Sequence, residues 1–365
     1  MTPRDIVKAQ LNHQTTEITP YTCGCEPLLH QKITDFYADP KWREHKLVEF
    51  MDWKFYIDTL IMKPVNDERL EKFPNLKDKE LIAAKYNDDI YSVDAFGTVW
   101  RLDKKPFHQE RPGLIEPTFD GYTFPSVDEF IENSANLKAE TITQYADKNN
   151  DLFRLINIGW GVFEHTWCLR GFEDTMVDML TEEKFYFELC EKLTDLMVDI
   201  VRSTSDIEAD AVFFGDDWGD QRGIIMGRDL FVKYFKPCYE RIYDEVHKQG
   251  RKVIQHCCGS IVDIYKDLAD IGMDCHESVQ PEAANMNPKY LRDTFSKDMC
   301  FFGCLGSQST LYSGTPDEIK EQILYLRDLF KDTGGYILAP AKVLSDEMSL
   351  DQALAVVETL YTLND

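Results

Sequence analysis

The chain has 365 residues, 43% of them hydrophobic, enough to bury a large core as one domain or two. Forty Lys and Arg stand against 65 Asp and Glu, a formal charge of -25 that repels nucleic-acid backbones and anionic membranes and excludes both as partners. Ten cysteines in a chain of this length, without a secretory leader, point to free thiols, metal ligands or catalytic groups in a soluble cytoplasmic protein rather than to a disulfide framework.

The first residues, MTPRDIVKAQLNHQ, read as an amphipathic helix with Pro3 in its first turn and no apolar signal core. No run approaches membrane-spanning length. Candidate strands then follow at EITPYTCGC (17 to 25), DIYSVDAFG (89 to 97), FRLINIGWG (153 to 161), AVFFG (211 to 215), KVIQH (252 to 256), GMDCHESV (272 to 279), MCFFGCLG (299 to 306) and GYILAPA (335 to 341). In the C-terminal half, helical spacing fills the intervals, as in GRDLFVKYFKPCYERIYDEVHKQG and TPDEIKEQILYLRDLFKDTGG. The second of these starts with a capping box, Thr315 with Glu318, has Pro316 at its first position and stops at Gly334-Gly335.

Strand alternating with helix builds a parallel sheet by right-handed crossovers, either open and doubly wound or closed as a barrel. No GxGxxG or GxxxxGK[ST] follows a strand, which weakens the nucleotide-binding open sheets. Eight strand segments favour one α/β domain over residues 1 to 365, a (β/α)8 TIM barrel with an N-terminal helical extension, in which 24 to 88 and 98 to 150 hold helices and insertions.

Barrel chemistry gathers at the C-terminal ends of the strands. Those ends carry Cys23 and Cys25, Asp94, Trp160 with Glu164, Asp216 with Asp217, His256 with Cys258, His276 with Glu277 and Gln280, Cys304, and Lys342. Alternation along an extended strand turns Cys257 away from His256 and Cys258, which can then hold one ion between them. Imidazole nitrogen and thiolate sulfur are ligands that zinc prefers, and a catalytic zinc keeps three protein ligands and an open position. Cys304 is the third ligand in this reading, with Glu277 and Asp217 as comparable candidates; a buried apolar thiol is the competing fate of Cys304. Asp217 and Glu277 are the candidate catalytic carboxylates, with capping of the next helix the plainer role for Asp216 and Asp217. Trp160, Glu164, Asp94 and Gln280 are assigned to the substrate pocket. Glu164 has an ion pair with Arg170 as its alternative, and Trp160, Trp167 and Trp218 have ordinary core packing as theirs.

These residues, together with RDIVKAQLNHQ, DAFGTVWR (94 to 101), VFEHTWCLRGFED (162 to 174), FFGDDWGDQRG (213 to 223), HCCGSI (256 to 261), IGMDCHESVQP (271 to 281), FFGCLGSQ (301 to 308) and GGYILAPA (334 to 341), resemble the uroporphyrinogen decarboxylase superfamily, in particular its cobalamin-dependent methyltransferase branch. The resemblance implies a (β/α)8 barrel, and the count of eight strands leans on it. It also implies a zinc on an HxC pair matching His256 and Cys258. Two departures narrow it. Where the decarboxylases carry an arginine motif that grips substrate carboxylates, this chain reads PYTCGCEP; where thiol-methylating members carry a further zinc cysteine, it reads APAKV, with Ala341 and Lys342. The expected activity is transfer of a methyl group from a small donor, such as an aryl methyl ether, to the cobalamin of a separate corrinoid protein, with cofactor-independent decarboxylation as the alternative.

Overall fold

The computed structural model describes residues 1–37, 50–87, 90–103, 108–134 and 151–365. Its strands are β1 (Met51–Tyr56), β2 (Lys63–Pro64), β3 (Tyr91–Val93), β4 (Val99–Arg101), β5 (His108–Arg111), β6 (Phe153–Trp160), β7 (Ala211–Gly215), β8 (Lys252–His256), β9 (Cys275–Val279), β10 (Cys300–Leu305) and β11 (Tyr336–Pro340). Seven of them form one parallel sheet in the order β1-β6-β7-β8-β9-β10-β11. Its innermost strands are near-continuous apolar runs, because helices cover the outer face and side chains fill the inner one; every residue of CFFGCL in β10 and of YILAP in β11 is buried.

The eighth stave is an irregular segment rather than a strand. Tyr21 and Cys25 make single parallel bridges to Leu338 and Leu344, and the Tyr21 ring packs edge-on against Phe50, just before β1, at 5.3 Å. Pro20 has no N–H to give, but its carbonyl accepts from Leu338 N, and Thr22 N donates to Leu338 O. The ring of staves is therefore closed between β11 and β1 by residues 20–25, giving a (β/α)8-type barrel.

One expected stave is wrong and one was missed. The segment 89–97, of which residue 89 lies outside the described residues, supplies β3 of a separate antiparallel sheet, order β2-β3-β4-β5. That sheet has its own apolar cluster of Val65, Leu70, Phe73, Leu76, Ile82, Tyr86, Val93 and Val99. The stave belongs instead to MDWKFY, β1, inside the stretch assigned to helices and insertions. Its Asp52 is buried, which breaks the apolar pattern that marks a strand.

Capping boxes start three helices, at Thr2 with Asp5, Thr315 with Glu318, and Ser349 with Gln352. The long stretch 228–248 is not one regular helix. A π-helical turn, Phe231–Phe235, comes just before Pro237, whose missing N–H and ring disfavour a regular ladder there. Among the described residues no helix is long and apolar enough to cross a membrane.

Alternation along β8 and β9 decides which side chains enter the barrel. Gln255 and His276, in register with each other, point outward: Gln255 Oε1 accepts from Tyr243 OH at 2.8 Å, and the His276 ring lies 2.7 Å from Tyr265 OH and 3.0 Å from the Cys257 carbonyl. His276 Nε2 donates to that carbonyl, so Nδ1 accepts from the tyrosine. Burial lowers the His276 pKa to about 3. The unfolded chain takes up this proton below its ordinary value of about 6.5 while the folded chain does not, so stability from this site is lost as pH falls from about 6.5 to about 3. Between pH 6.5 and 4 the stability difference between wild type and His276→Gln should move by about 3 kcal/mol in the variant's favour, read by urea unfolding at both pH values. A difference that stays flat would mean that His276 is protonated in the native state.

Candidate metal centre and substrate cavity

His256 and Glu277 are register partners at the ends of β8 and β9 and both point inward. Glu277 Oε2 lies 2.5 Å from His256 Nδ1, so the carboxylate holds the proton on that nitrogen and turns Nε2 toward the neighbouring donors. Three donor atoms converge there. Cys258 Sγ lies 3.6 Å from His256 Nε2, and Asp217 Oδ1 lies 3.6 Å from the same nitrogen. Asp217, His256 and Cys258 can each offer one atom within 4.8 Å of the others, and they are the one such group of three among the described residues.

The loop that carries these groups is held from behind. Cys258 N donates to Asp217 Oδ1 at 2.7 Å, tying two of the donors together. Gly259 N donates to Gln280 Oε1 at 3.0 Å, and Ser260 N to the Asp220 carbonyl at 2.8 Å. Gly259 has φ +74°, and a Cβ there would strike the Asp220 backbone, so the turn after HCC requires glycine. Cys257 faces the other way and is buried, its sulfur accepting from Trp218 N at 3.2 Å.

Nitrogen, thiolate sulfur and carboxylate oxygen suit zinc, and the Glu277 bond to Nδ1 is the outer-sphere partner that a metal-binding imidazole usually has. The donor set fits the expected metal: Asp217 stands beside His256 and Cys258, whereas Cys304 contributes no atom to the group. Cys304 is fully buried on β10 with φ +69°, and burial pushes its thiol well up. Glu277 acts through His256.

A dense set of carboxyl groups surrounds this imidazole. Burial opposes charge on His256, yet Glu277 and Cys258 outweigh it and hold its pKa well above the ordinary value. Burial, then repulsion from Asp216 and Asp217, pushes the Glu164 carboxyl well above the usual range. Its Oε2 would lie 3.9 Å from a Cβ placed on Gly215, the register partner of His256, so the acid sits over that glycine beside the imidazole.

Asp216 has a different task. It is fully buried and accepts from Phe163 N (2.9 Å), Glu164 N (2.8 Å), Trp218 Nε1 (2.9 Å) and Tyr239 OH. Burial pushes its carboxyl up to about 7 against the pull of those four donors. Two of the donors are N–H groups in the first turn of the helix Val162–Arg170, so Asp216 fixes the helix that carries Glu164. Gly161 precedes that helix because a Cβ there would run into the Tyr239 hydroxyl and Asp216.

The expected pocket residues separate. Asp94 is buried and accepts from Phe96 N, Thr98 N and Trp100 Nε1 at 2.8–2.9 Å, which spends it on the turn between β3 and β4. Gln280 supports the loop after β8 by accepting from Gly259 N. Trp160 packs against Trp100 and Trp167, joining the barrel to the small sheet, and Trp218 is core. Arg170 pairs with Asp178 at 2.7 Å, not with Glu164. A cavity of about 340 Å3 instead opens inside the barrel mouth, lined by Trp53, Asn157, Phe213, Phe302, Glu277 and Lys342 among others. Asp94, Trp160, Glu164 and Gln280 do not line it. Counting alternate residues outward from the apolar strands 211–215 and 299–306 would have found Phe213 and Phe302; nothing in MDWKFY marked Trp53.

Comparisons with known proteins agree with this architecture. A family model for uroporphyrinogen decarboxylase (URO-D) matches residues 125–363, well over half of the chain. Curated relatives from Bacillus cereus (strain B4264) and Bacillus thuringiensis (strain Al Hakam), both uroporphyrinogen decarboxylases, are each 30% identical over 138 residues, 33% of this chain and 38% of theirs. The chain thus spans little more than a third of the length of these relatives. A solved methyltransferase from Methanosarcina mazei superposes over 100% of both chains with a TM-score of 0.66 at 16% identity, a likeness of fold. The parallel barrel, the metal-type donor group at its mouth and the match over residues 125–363 lead to one assignment: the chain belongs to the uroporphyrinogen decarboxylase family.

Proposed function

We propose that the protein is a zinc-dependent methyltransferase of this family that moves a methyl group from a small methylated donor, such as an aryl methyl ether, to the cobalamin of a separate corrinoid protein. The observation that carries the reading is the triad of Asp217, His256 and Cys258, whose imidazole partner Glu277 also lines an aromatic cavity. The full-length fold likeness to the Methanosarcina mazei methyltransferase supports it.

A methyl group on oxygen or nitrogen leaves slowly because the departing heteroatom carries developing negative charge. Zinc held by Asp217, His256 and Cys258 supplies a Lewis acid for that charge. His256 presents Nε2 because Glu277 keeps the proton on Nδ1. Glu164, outside the cavity lining, adds a carboxyl whose pKa burial raises to the acidic surroundings of His256. Trp53, Phe213 and Phe302 wall the cavity and exclude water from the reacting bond.

The test mixes the purified protein, a corrinoid protein with reduced cobalamin, and methoxyaromatics, methylamines or methanol, and follows the cobalamin absorbance. A zinc-loaded protein that produces no change with any donor would overturn the proposal. Decarboxylation without a cofactor, drawn from the Bacillus relatives, would instead be favoured by activity that survives loss of both His256 and Cys258. That reading fits the cavity less well, because a uroporphyrinogen is a polyanion and Lys342 is the one cation among the described lining residues.

Glu277→Gln should weaken zinc binding about 10- to 100-fold while the fold is kept, since it removes only the partner of Nδ1. Competition with a chromophoric chelator reads the change. Unaltered affinity would show that the imidazole is oriented without Glu277.

A further inference from the structure

We infer that Lys342 is a specificity-determining residue and that the donor is an aromatic molecule bearing one anionic group, a carboxylate, held by this lysine. The inference rests on the methyl-transfer reading for the chemistry, and on the cavity for the recognition.

The cavity has two chemically different ends. Trp53 stands edge-on to Phe213 at 5.1 Å and lies 6.2 Å from Phe302; with Ala339, Pro340 and Val343 they make an apolar, largely aromatic wall. At about 340 Å3 it lies at the lower end of small-molecule pockets, roughly 300–1,000 Å3, which suits a molecule of one ring. One charged end is Glu277, already bonded to His256, with Asp217 beyond it. A carboxylate is repelled there. The other charged end is Lys342.

The topology separates these ends. Lys342 follows β11, three strands from β8 in the sheet order, and residues 20–25 close the ring on its other side. It thus stands three staves round the ring from the strand that carries His256. Its turn is pinned from both neighbours: Ala341 N donates to the Leu305 carbonyl at 2.9 Å and Leu344 N to the Gly24 carbonyl at 2.8 Å. Lys236 and Lys252 are engaged by Asp267 and Asp274, at 3.0 and 2.8 Å, whereas among the described residues no carboxylate pairs with Lys342. Thr22, Cys23 and Gly24, which line the same side, bring no cation. One ammonium group matches one carboxylate, and it orients a methoxylated ring with its ether toward His256 and Cys258.

Binding is measured by quenching of tryptophan fluorescence and by calorimetry, without corrinoid protein, using 4-methoxybenzoate and methoxybenzene. The wild type should bind the benzoate at least about fivefold more tightly, the scale of one partly exposed ion pair. Lys342→Met should abolish that preference and leave methoxybenzene binding unchanged, and Lys342→Arg should restore it. Equal binding of both ligands by the wild type, or a preference that persists in Lys342→Met, overturns the inference. The preference is read apart from turnover, so a selective protein that transfers no methyl group would sink the functional reading and leave Lys342's role standing. Turnover with no preference would do the reverse.

Discussion

Cys258→Ser should fold like the wild type and hold less than about a tenth of its zinc, with methyl transfer reduced by about a thousandfold or more. The thiolate is one of three donors, and its loss leaves an imidazole and a carboxylate whose atoms can lie within 4.8 Å of each other but with one fewer charge-bearing ligand. A thousandfold rate loss corresponds to about 4 kcal/mol, within the several kcal/mol that a Lewis acid contributes to a departing heteroatom. The half-buried position of Cys258 at the loop surface keeps the substitution from opening the core. Two comparisons separate ligand loss from general damage. Cys304→Ser should keep its zinc, because that thiol is buried on β10 outside the donor group. Cys257→Ser should keep its zinc, since that sulfur faces away from the donor group and accepts from Trp218 N. Metal analysis of the four proteins together with their melting curves decides the matter. Full zinc content in Cys258→Ser would remove the thiolate from the site, and loss of zinc in Cys304→Ser would restore the ligand set that the sequence favoured.

Asp216→Ala should destabilise the protein by about 3–5 kcal/mol, the range for removing one partner from a buried charged network. Four donors converge on this carboxylate, and truncation leaves Tyr239 OH, Trp218 Nε1 and two backbone N–H groups buried without an acceptor. Orphaned donors of this kind cost about 1–3 kcal/mol each before relaxation. The same change frees the start of the helix Val162–Arg170, so Glu164 loses its placement beside His256 and activity should fall further than stability alone explains. Urea unfolding at pH 7 measures the first effect; turnover well below the unfolding midpoint measures the second. A loss under about 1 kcal/mol would mean that the donors find water or other partners.

His256 and Cys258 were legible as a pair because β8 is a short apolar strand that stops at a Gly-Ser turn, and alternation places residues two apart on one side. The same rule set Cys257 aside. Asp217 was legible as a carboxylate after β7 but not as the donor nearest His256 Nε2, since the choice among Asp217, Glu277 and Cys304 depends on register between neighbouring strands. That register pairs His256 with Glu277, which turns Glu277 into the partner of Nδ1 and leaves the third place to Asp217. Glu164 and Asp216 show the same limit. Each looked like a pocket or capping carboxylate, and only burial and hydrogen-bond partners distinguish the acid raised by its neighbours from the acceptor that anchors a helix.

By itself the sequence determined the alternation of strand and helix through most of the chain, the capping box at Thr315, the HxC pair and the acidic character, because these depend on residue type and local spacing. Tertiary structure alone decided that MDWKFY rather than DIYSVDAFG is a barrel stave, that residues 20–25 close the ring, and that Trp53, Phe213, Phe302 and Lys342 share a cavity with Glu277. Those outcomes follow from which distant strands lie side by side, and a pairing between residues tens or hundreds of positions apart leaves no periodicity in the chain to read.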